Sequence, residues 1–339
     1  MVDGPDAPLR AAVVGTGLIG GSVLLRLHAA GLDVTGWDPD EATRRRARST
    51  GVPTAERLVD AVADRDVVFL GGPLPTLPAT LVEVAAATDD DCLLTDVGST
   101  KAELAAFAGA RGLTHRFVPG HPMAGTDRAG LGAALPELFA GAAWVLCPAA
   151  DGLAAFRRLA ALVTEVFAAR VVPMAADRHD AVVALASHVP HLLAGALAGA
   201  AERSALRDAV LTLAAGSFRD GTRVAGTPPQ RTANMLGGNR DEVLAALAGV
   251  TAFLDELAGA LRAGDGDALT ARYAEAGAAR LALAGRLHHE RVRSFPAGGD
   301  LAGELAWLRG LGVAGGHLSA CQVDAGAVTY TAHLPHTVG

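Results

Sequence analysis

The 339-residue sequence has few aromatic residues and no excess of positive charge. Phe, Trp and Tyr make up 4% of the chain, and the formal net charge is −7 at pH 7. Single-stranded nucleic acids are bound by stacking on aromatic side chains, and phosphate backbones or anionic lipids attract basic proteins. We therefore expect no nucleic-acid partner and no membrane partner. Half of the residues are apolar, which is enough for a large buried core divided between two domains.

Cysteine is scarce too. Cys92, Cys147 and Cys321 are odd in number and form no CxxC pair, which indicates a reduced, cytoplasmic protein without disulfides. No HExxH motif or cysteine pair offers a metal site, so we predict no metal. The amino terminus lacks the basic-then-apolar order of a secretion signal, in agreement with a cytoplasmic location.

One apolar stretch, Ala181–Ala201, is about long enough to span a bilayer. It contains Ser187, His188, Pro190 and His191. We interpret it as a buried helix of a soluble protein.

Lysine is nearly absent, because Lys101 is the single lysine of the chain. Arginine and lysine differ in shape and hydration, so a position that keeps lysine favours a specific point-charge contact. The segment Asp96–Lys101 (DVGSTK) closes an apolar run and opens a helical one, which suits the binding of anions or hydroxyls. In the structural alternative, Ser99 is only the N-cap of the following helix.

A glycine-rich loop near the amino terminus is typical of dinucleotide binding. The sequence GTGLIG, formed by Gly15, Gly17, Leu18, Ile19, Gly20 and the intervening Thr16, directly follows the apolar run Leu9–Val14 and opens a helix. Glycines allow a pyrophosphate to approach the backbone at the helix N-terminus. Asp38, 18 residues past Gly20, would bind a ribose and repel a 2′-phosphate, so NAD is the predicted cofactor. Arg44, Arg45 and Arg46 lie nearby, and we interpret them as the solvated face of the next helix.

Further strand-like runs alternate with helical patterns, as in a parallel, doubly wound sheet. They are Asp33–Trp37, Asp66–Leu70, Cys92–Val97, His115–Val118 and Ala143–Cys147, with Phe167–Pro173 as one more strand at the edge. The predicted fold class is α/β: a Rossmann-type sheet over residues 1–174, then an all-α domain over 175–293. Residues 294–339 form a short tail, with a helix near Leu301–Leu311 and a strand near Ala327–Leu334.

His121 lies in the stretch VPGHPMAG, between Pro119 and Pro122. Both prolines stiffen the chain, so we predict that His121 sits on a rigid turn after a short strand. An imidazole in that place suits acid–base chemistry. The alternative is a surface turn whose histidine has no chemical role.

Two further polar groups interrupt the helical half. His188 and His191 share a helix face, and Pro190 is expected to kink that helix towards a cleft; the alternative is that they are satisfied core histidines. Arg219 and Arg223 are four residues apart and flanked by glycines, a spacing that favours bidentate capture of a carboxylate. A solvated charge cluster would have the same spacing.

These blocks, in this order, resemble the prephenate/arogenate dehydrogenase family. The resemblance covers roughly residues 9–290. The matching segments are Gly15–Ser22, Asp96–Lys101, Gly120–Thr126, His179–His191, Phe218–Ala225 and Asn239. Asp127 stands where the family usually has glutamate, and Thr227–Gln230 lacks the tryptophan that often follows. The tail is too short for a complete ACT regulatory domain, although Leu301–Ala306 is similar to the start of one.

The resemblance implies an NAD-dependent oxidative decarboxylation of prephenate in tyrosine biosynthesis. It assigns His121 as proton acceptor, Ser99 as its hydrogen-bond partner and a cofactor contact, and His188 as an orienting residue. Arg223, aided by Arg219, Lys101 and His191, would bind the substrate. It also implies a homodimer through the helical domain. Arogenate, 4-amino-4-deoxyprephenate and a generic 3-hydroxyacid are alternative substrates, and an inactive NAD-binding sensor is the alternative outside the enzymes.

Overall fold

The computed structural model describes residues 9–126 and 128–336. The strands are β1 Arg10–Val14, β2 Asp33–Trp37, β3 Val67–Leu70, β4 Leu93–Asp96, β5 Phe117–Val118, β6 Gly120–Pro122, β7 Ala143–Leu146, β8 Arg170–Pro173, β9 His288–Pro296, β10 His317–Val323 and β11 Ala327–Pro335. The helices of the first half are α1 Leu18–Ala29, α2 Glu41–Ser49, α3 Leu58–Val62, α4 Leu77–Ala86, α5 Ala102–Gly109 and α6 Leu153–Val166. Those of the second half are α7 Ala176–Val183, α8 Val189–Glu202, α9 Arg207–Leu213, α10 Gly216–Thr222, α11 Pro229–Gly238, α12 Arg240–Ala263, α13 Gly266–Ala284 and α14 Leu301–Val313.

The first sheet is parallel, with the order β2-β1-β3-β4-β5. Its central strands read as continuous apolar runs, and every residue of β3 is buried. Strands covered by helices on both faces have this composition. The predicted Rossmann-type sheet followed by a mostly helical region is therefore confirmed.

The strands after Pro119 do not extend that sheet, which corrects the sequence prediction. β7 and β8 pair in parallel with each other, in a second, mixed sheet of order β6-β7-β8-β10-β11-β9. The chain changes sheets at Pro119, between β5 and β6. Proline has no N–H to donate, and the carbonyl of Pro119 accepts from Cys147 N at 2.9 Å. His121 consequently lies on β6, opposite Val145, and not on a free turn.

The carboxyl-terminal residues complete the second sheet. β9 begins at His288, so the predicted boundary at residue 293 falls inside a strand. β10 pairs with β8 through Leu318 and Val171, and α14 and β11 match the expected helix and strand. Arg157 on α6 is ion-paired with buried Glu304 on α14, and Tyr330 donates to Glu304 Oε1 at 2.6 Å. This network joins the last fifty residues to the first domain.

The helical region between the two parts of the second sheet contains two long apolar segments. Ala176–Glu202 is continuous, because a π turn at Ala184–His188 links α7 to α8 and places Pro190 in the first turn of α8. Pro190 has no N–H to donate. It lies in the first turn of α8, where the π turn already interrupts the regular α-helical hydrogen bonds. This segment and Arg240–Ala263 are long and apolar enough to cross a membrane by length and composition alone. In the single chain, 28% of the apolar stretch of the first segment and 6% of that of the second are buried, so the prediction of a buried helix over Ala181–Ala201 is wrong for one copy of the chain.

The Glu304 network predicts a large stability effect. Glu304→Ala leaves the Arg157 guanidinium buried without its carboxylate, and should lower the free energy of unfolding by about 3–5 kcal/mol. Urea unfolding followed by circular dichroism measures this. Glu290→Ala, an exposed change on β9 of the same segment, is the control and should cost less than about 0.5 kcal/mol. Equal losses in the two variants would contradict a structural role for the buried pair.

Candidate active site

The glycine loop between β1 and α1 has the close packing that dinucleotide binding requires. Gly15 has φ +89°, and a methyl group on Gly20 would lie 1.9 Å from the carbonyl oxygen of Gly15. Gly17, by contrast, has nothing within 4 Å of the position of a Cβ. Leu18 is buried and Ile19 packs against the core, so both anchor the helix start. The open side at Gly17 leaves room for a pyrophosphate beside the N–H groups of the first turn.

Asp38 stands at the carboxyl end of β2, next to this loop. Its Oδ2 accepts from Thr16 N at 2.8 Å, and the residue remains partly exposed. Arg45 is exposed and ion-paired with Glu41, as expected of a solvated helix face. Arg44 departs from that expectation: its side chain is mostly buried, pairs with Glu56 and donates to the Asp38 carbonyl at 2.7 Å. A cavity of about 510 Å³ opens beside them between α2 and the turn Leu131–Ala133. Its lining residues are Asp40, Ala42, Thr43, Arg46, Arg128, Ala129, Gly130, Leu131, Gly132 and Ala133.

His121 is the end of a chain of hydrogen bonds that the sequence did not reveal. Its Nδ1 lies 2.8 Å from His179 Nε2, and His179 Nδ1 lies 2.7 Å from Asp180 Oδ1. The carboxylate can only accept, so His179 carries its proton on Nδ1 and accepts from His121 Nδ1–H through Nε2. The network therefore assigns His121 the tautomer whose Nε2 is unprotonated, ready to accept a proton.

Asp180 also ties the helical region to the first sheet. Its two oxygens accept from the backbone N–H groups of Lys101 and Ala102, each at 2.8 Å, at the start of α5. The Lys101 side chain is fully buried and ion-paired with Asp96 at the end of β4. Asp96 Oδ1 also accepts from Gly120 N at 3.2 Å. The Asp96 carboxylate thus balances the charge of Lys101 and also binds the backbone of Gly120, next to His121.

The predicted residue His188 is fully buried in the same network. Asn239 Nδ2 lies 2.8 Å from the Asp180 carbonyl oxygen and 3.1 Å from His188 Nδ1. Because Asn239 donates, His188 carries its proton on Nε2, and that atom has no partner among the described residues. His191 is partly exposed, and its Nδ1 donates to the Ser187 carbonyl at 2.9 Å. The Nε2–H of His188 is thus a buried donor without a partner among the described residues.

The other predicted residues lie around this centre without direct bonds to it. Ser99 is partly exposed, and within residues 9–126 and 128–336 it makes no hydrogen bond to His121; His179 is the partner that the structure shows. Arg219 and Arg223 are exposed on α10 and on the turn that follows it, which packs against α8. The sequence reasoning missed His179, Asp180, Asp96 and the role of Asn239. Their one signal was their presence inside the matching blocks.

Burial and neighbouring charges keep the imidazoles neutral. Burial, followed by the charges of His179 and Lys101, holds the pKa of His121 well below its ordinary value of 6.5. Burial also lowers the pKa of His179, although Asp180 opposes the shift. For His188, burial lowers the pKa to about 4. A neutral His121 is the form that can accept a proton at physiological pH.

These pKa shifts predict the acid side of the pH–rate profile. His121 must be neutral to act as a base, so activity is retained above its pKa and lost as the pH falls through that pKa. Since the folded-state pKa lies below 6.5, the acid limb of kcat/KM, which reports the free enzyme, should be centred below pH 6.5. Initial rates across the pH range measure it. An acid limb centred at or above 6.5 would exclude this environment for the base.

A parallel sheet with this glycine loop, facing a proton-accepting imidazole, defines a nucleotide-dependent dehydrogenase. Residues 22–172 match the model of the prephenate dehydrogenase nucleotide-binding domain, and residues 175–275 match the prephenate dehydrogenase dimerization domain. The chain is 34% identical to the cyclohexadienyl dehydrogenase of Zymomonas mobilis over 280 residues, which is 80% of this chain and 95% of that one.

Two solved structures are similar over most of the chain. Arogenate dehydrogenase from Synechocystis has a TM-score of 0.68 at 26% identity, covering 81% of this chain and 100% of its own. Prephenate dehydrogenase from Aquifex aeolicus, in complex with hydroxyphenyl propionate and NAD⁺, has a TM-score of 0.74 at 25% identity, covering 83% and 100%. The chain belongs to the prephenate dehydrogenase family. Its predicted class, a dehydrogenase with a Rossmann-type nucleotide-binding domain, is confirmed.

Proposed function

We propose that this protein catalyses the NAD-dependent oxidative decarboxylation of prephenate to 4-hydroxyphenylpyruvate, a step of tyrosine biosynthesis. The observation that carries the proposal is the His121–His179–Asp180 chain, which leaves His121 Nε2 as a positioned proton acceptor. The family to which the chain belongs and the ligands named for the Aquifex aeolicus structure support this reaction.

The glycine loop and Asp38 fit NAD. Gly17 is open where a pyrophosphate would approach, and the Asp38 carboxylate is partly exposed for a ribose hydroxyl. When bound, NAD⁺ supplies the acceptor for a hydride. Asp38 repels the 2′-phosphate of NADP, and Arg44 and Arg45 are already paired with carboxylates. Ser99 and the backbone at Gly71–Gly72, which packs against Gly15, border the nicotinamide end.

His121 takes the proton of the substrate hydroxyl on Nε2 as the hydride leaves the carbinol carbon. The hydroxyl oxygen first becomes a carbonyl and the ring carboxylate departs as CO₂. The electron pair of the broken C–C bond makes the ring aromatic and turns the carbonyl into a phenolate oxygen, which takes back the proton held on His121 Nε2. His179 and Asp180 hold the imidazole and stabilise the positive charge that it acquires. His188 Nε2–H and His191 orient the substrate, and Arg223 and Arg219 bind its carboxylates. Lys101 supports the site through its buried ion pair with Asp96.

His121→Asn tests the base. The amide keeps a hydrogen-bonding group but cannot take up a proton at neutral pH, so kcat should fall by roughly 10²-fold or more with little change in the KM for prephenate. NADH formation measures both constants. His115→Asn is the control, because His115 is a partly exposed histidine six residues earlier that contacts Asp90 and lies outside the His121–His179–Asp180 chain. Unchanged turnover in His121→Asn would remove it from this role.

Arogenate and 4-amino-4-deoxyprephenate are the alternative substrates. The name of the Zymomonas mobilis relative covers cyclohexadienyl substrates broadly, and the Synechocystis relative is named for arogenate. Side-by-side turnover of the three compounds, followed as NADH, distinguishes them. The highest kcat/KM on prephenate supports the proposal, and a higher value on either other compound overturns the choice of substrate. NAD binding without NADH formation on any of them would indicate an inactive sensor.

The protein is proposed to act as a cytoplasmic homodimer through its helical region. The matched dimerization domain covers residues 175–275. Large apolar side chains of α8, α12 and α13 are exposed in the single chain, among them Leu193, Leu197, Leu254, Leu261 and Leu281. Exposed apolar surface of this extent marks an association site. Burial against a second copy explains why two helices are apolar enough to cross a membrane by length and composition. The three cysteines are free thiols, as expected of a protein in the reducing cytoplasm.

Light scattering on a gel-filtration column tests the dimer. The wild-type protein should have twice the mass of one chain, and Leu254→Glu on α12 should shift it towards the monomer, because a charge would be buried without a partner. Val313→Glu, at an exposed position at the end of α14, is the control and should leave the mass unchanged. A monomeric wild-type protein would refute the proposed assembly.

A further inference from the structure

Arg231 is a cation next to His121 whose position the family blocks did not indicate. It lies in the first turn of α11, two residues after Pro229. Its Nη2 is 3.5 Å from where a Cβ on Gly125 would stand. Gly125 belongs to the loop that follows β6, four residues after His121. The guanidinium therefore lies close to the loop that follows the strand of the proton acceptor.

The direction of α11 places this side chain over the cleft. At the other end of the helix, a Cβ on Gly238 would lie 3.4 Å from Thr100 Oγ1. Thr100 is the neighbour of Ser99 and Lys101. The helix thus runs from the loop after His121 to the segment DVGSTK, and it covers the space between the two segments that are expected to hold substrate and cofactor.

The charge of Arg231 is not balanced within the described chain. Its positive charge is one of those that lower the pKa of His121, and Lys101 is the other permanent cation among them. Lys101 is ion-paired with Asp96, whereas the Arg231 side chain has no ion pair or hydrogen bond to any residue in 9–126 or 128–336. An exposed guanidinium beside a neutral base is poised for bidentate binding of an anion from solution.

Arg219 and Arg223 do not share this geometry. Both lie on the α10 side of the helical region, next to α8, and neither is among the principal charges acting on His121. We infer that Arg231 is a substrate-binding residue that holds a carboxylate of the substrate beside His121. This rests on the proposed function, because a cyclohexadienyl substrate with two carboxylates supplies the missing anion.

Arg231→Gln tests the inference. Losing a charged bidentate contact should raise the KM for prephenate by about 10- to 100-fold, with kcat changed far less and the KM for NAD⁺ unchanged. The acid limb of kcat/KM should also move to higher pH, because one charge that lowers the pKa of His121 has been removed. A purely structural role would not move that limb. Arg231→Lys, which keeps the charge but not the fork, should recover part of the KM and keep the limb in place.

Arg203→Gln is the control, since Arg203 is an exposed arginine at the carboxyl end of α8 in the same helical region. It should behave as wild type. A wild-type KM for prephenate in Arg231→Gln, with correct folding by circular dichroism, overturns the inference. If the wild-type enzyme oxidises none of the three candidate substrates, the proposed function fails instead. Calorimetric binding of prephenate to wild type and Arg231→Gln then still decides the inference: equal affinity refutes it, and weaker binding by the variant supports it.

Discussion

The carboxylate of Asp180 is the interaction on which the site depends. It lies on α7, in the helical region, yet it accepts hydrogen bonds from the backbone of Lys101 and Ala102 at the start of α5. The same carboxylate orients His179, which binds His121. One buried anion therefore sets the position of a helix, the tautomer of two imidazoles and the distance between the two halves of the molecule. Hydrogen bonds to a charged group are among the stronger ones in proteins, which suits this role.

The burial and the charges around Asp180 explain why the imidazole of His121 stays neutral. Lys101 is balanced by Asp96, and burial lowers the pKa of His121, His179 and His188. Burial makes protonation of these imidazoles costly, and for His179 and His188 the carboxylate of Asp180 offsets only part of that cost. In the proposed function, the positive charge that binds the substrate is carried by arginines, Arg231 among them. The nearby charges of Lys101 and Arg231 lower the pKa of His121 further, so cations close to this imidazole favour its neutral form.

The second sheet gives His121 a rigid support that a turn would lack. Hydrogen bonds between β6 and β7 hold the backbone on one side, and Gly120 N is bound to Asp96 on the other. The carboxyl-terminal segment extends the same sheet through β10 and is locked to α6 by the buried contact of Arg157 with Glu304. Residues far from the chemistry in the sequence thereby stabilise the layer that carries the base. A backbone that does not rearrange keeps a proton acceptor in the geometry that proton transfer requires.

Local pattern determined several features of this protein without any tertiary information. The strand followed by GTGLIG and Asp38 predicted the nucleotide site, and alternation of apolar runs with helical stretches predicted the first sheet, because each signal lies within a few tens of residues. His121 was found because two prolines stiffen its surroundings. Only the tertiary structure decided that Ala143–Leu146 belongs to a different sheet, that His179 and not Ser99 bonds His121, and that Arg231 faces the same loop. The last two relationships join residues 58 or more positions apart. Their geometry depends on how α7 and α11 pack, which periodicity along the chain does not encode.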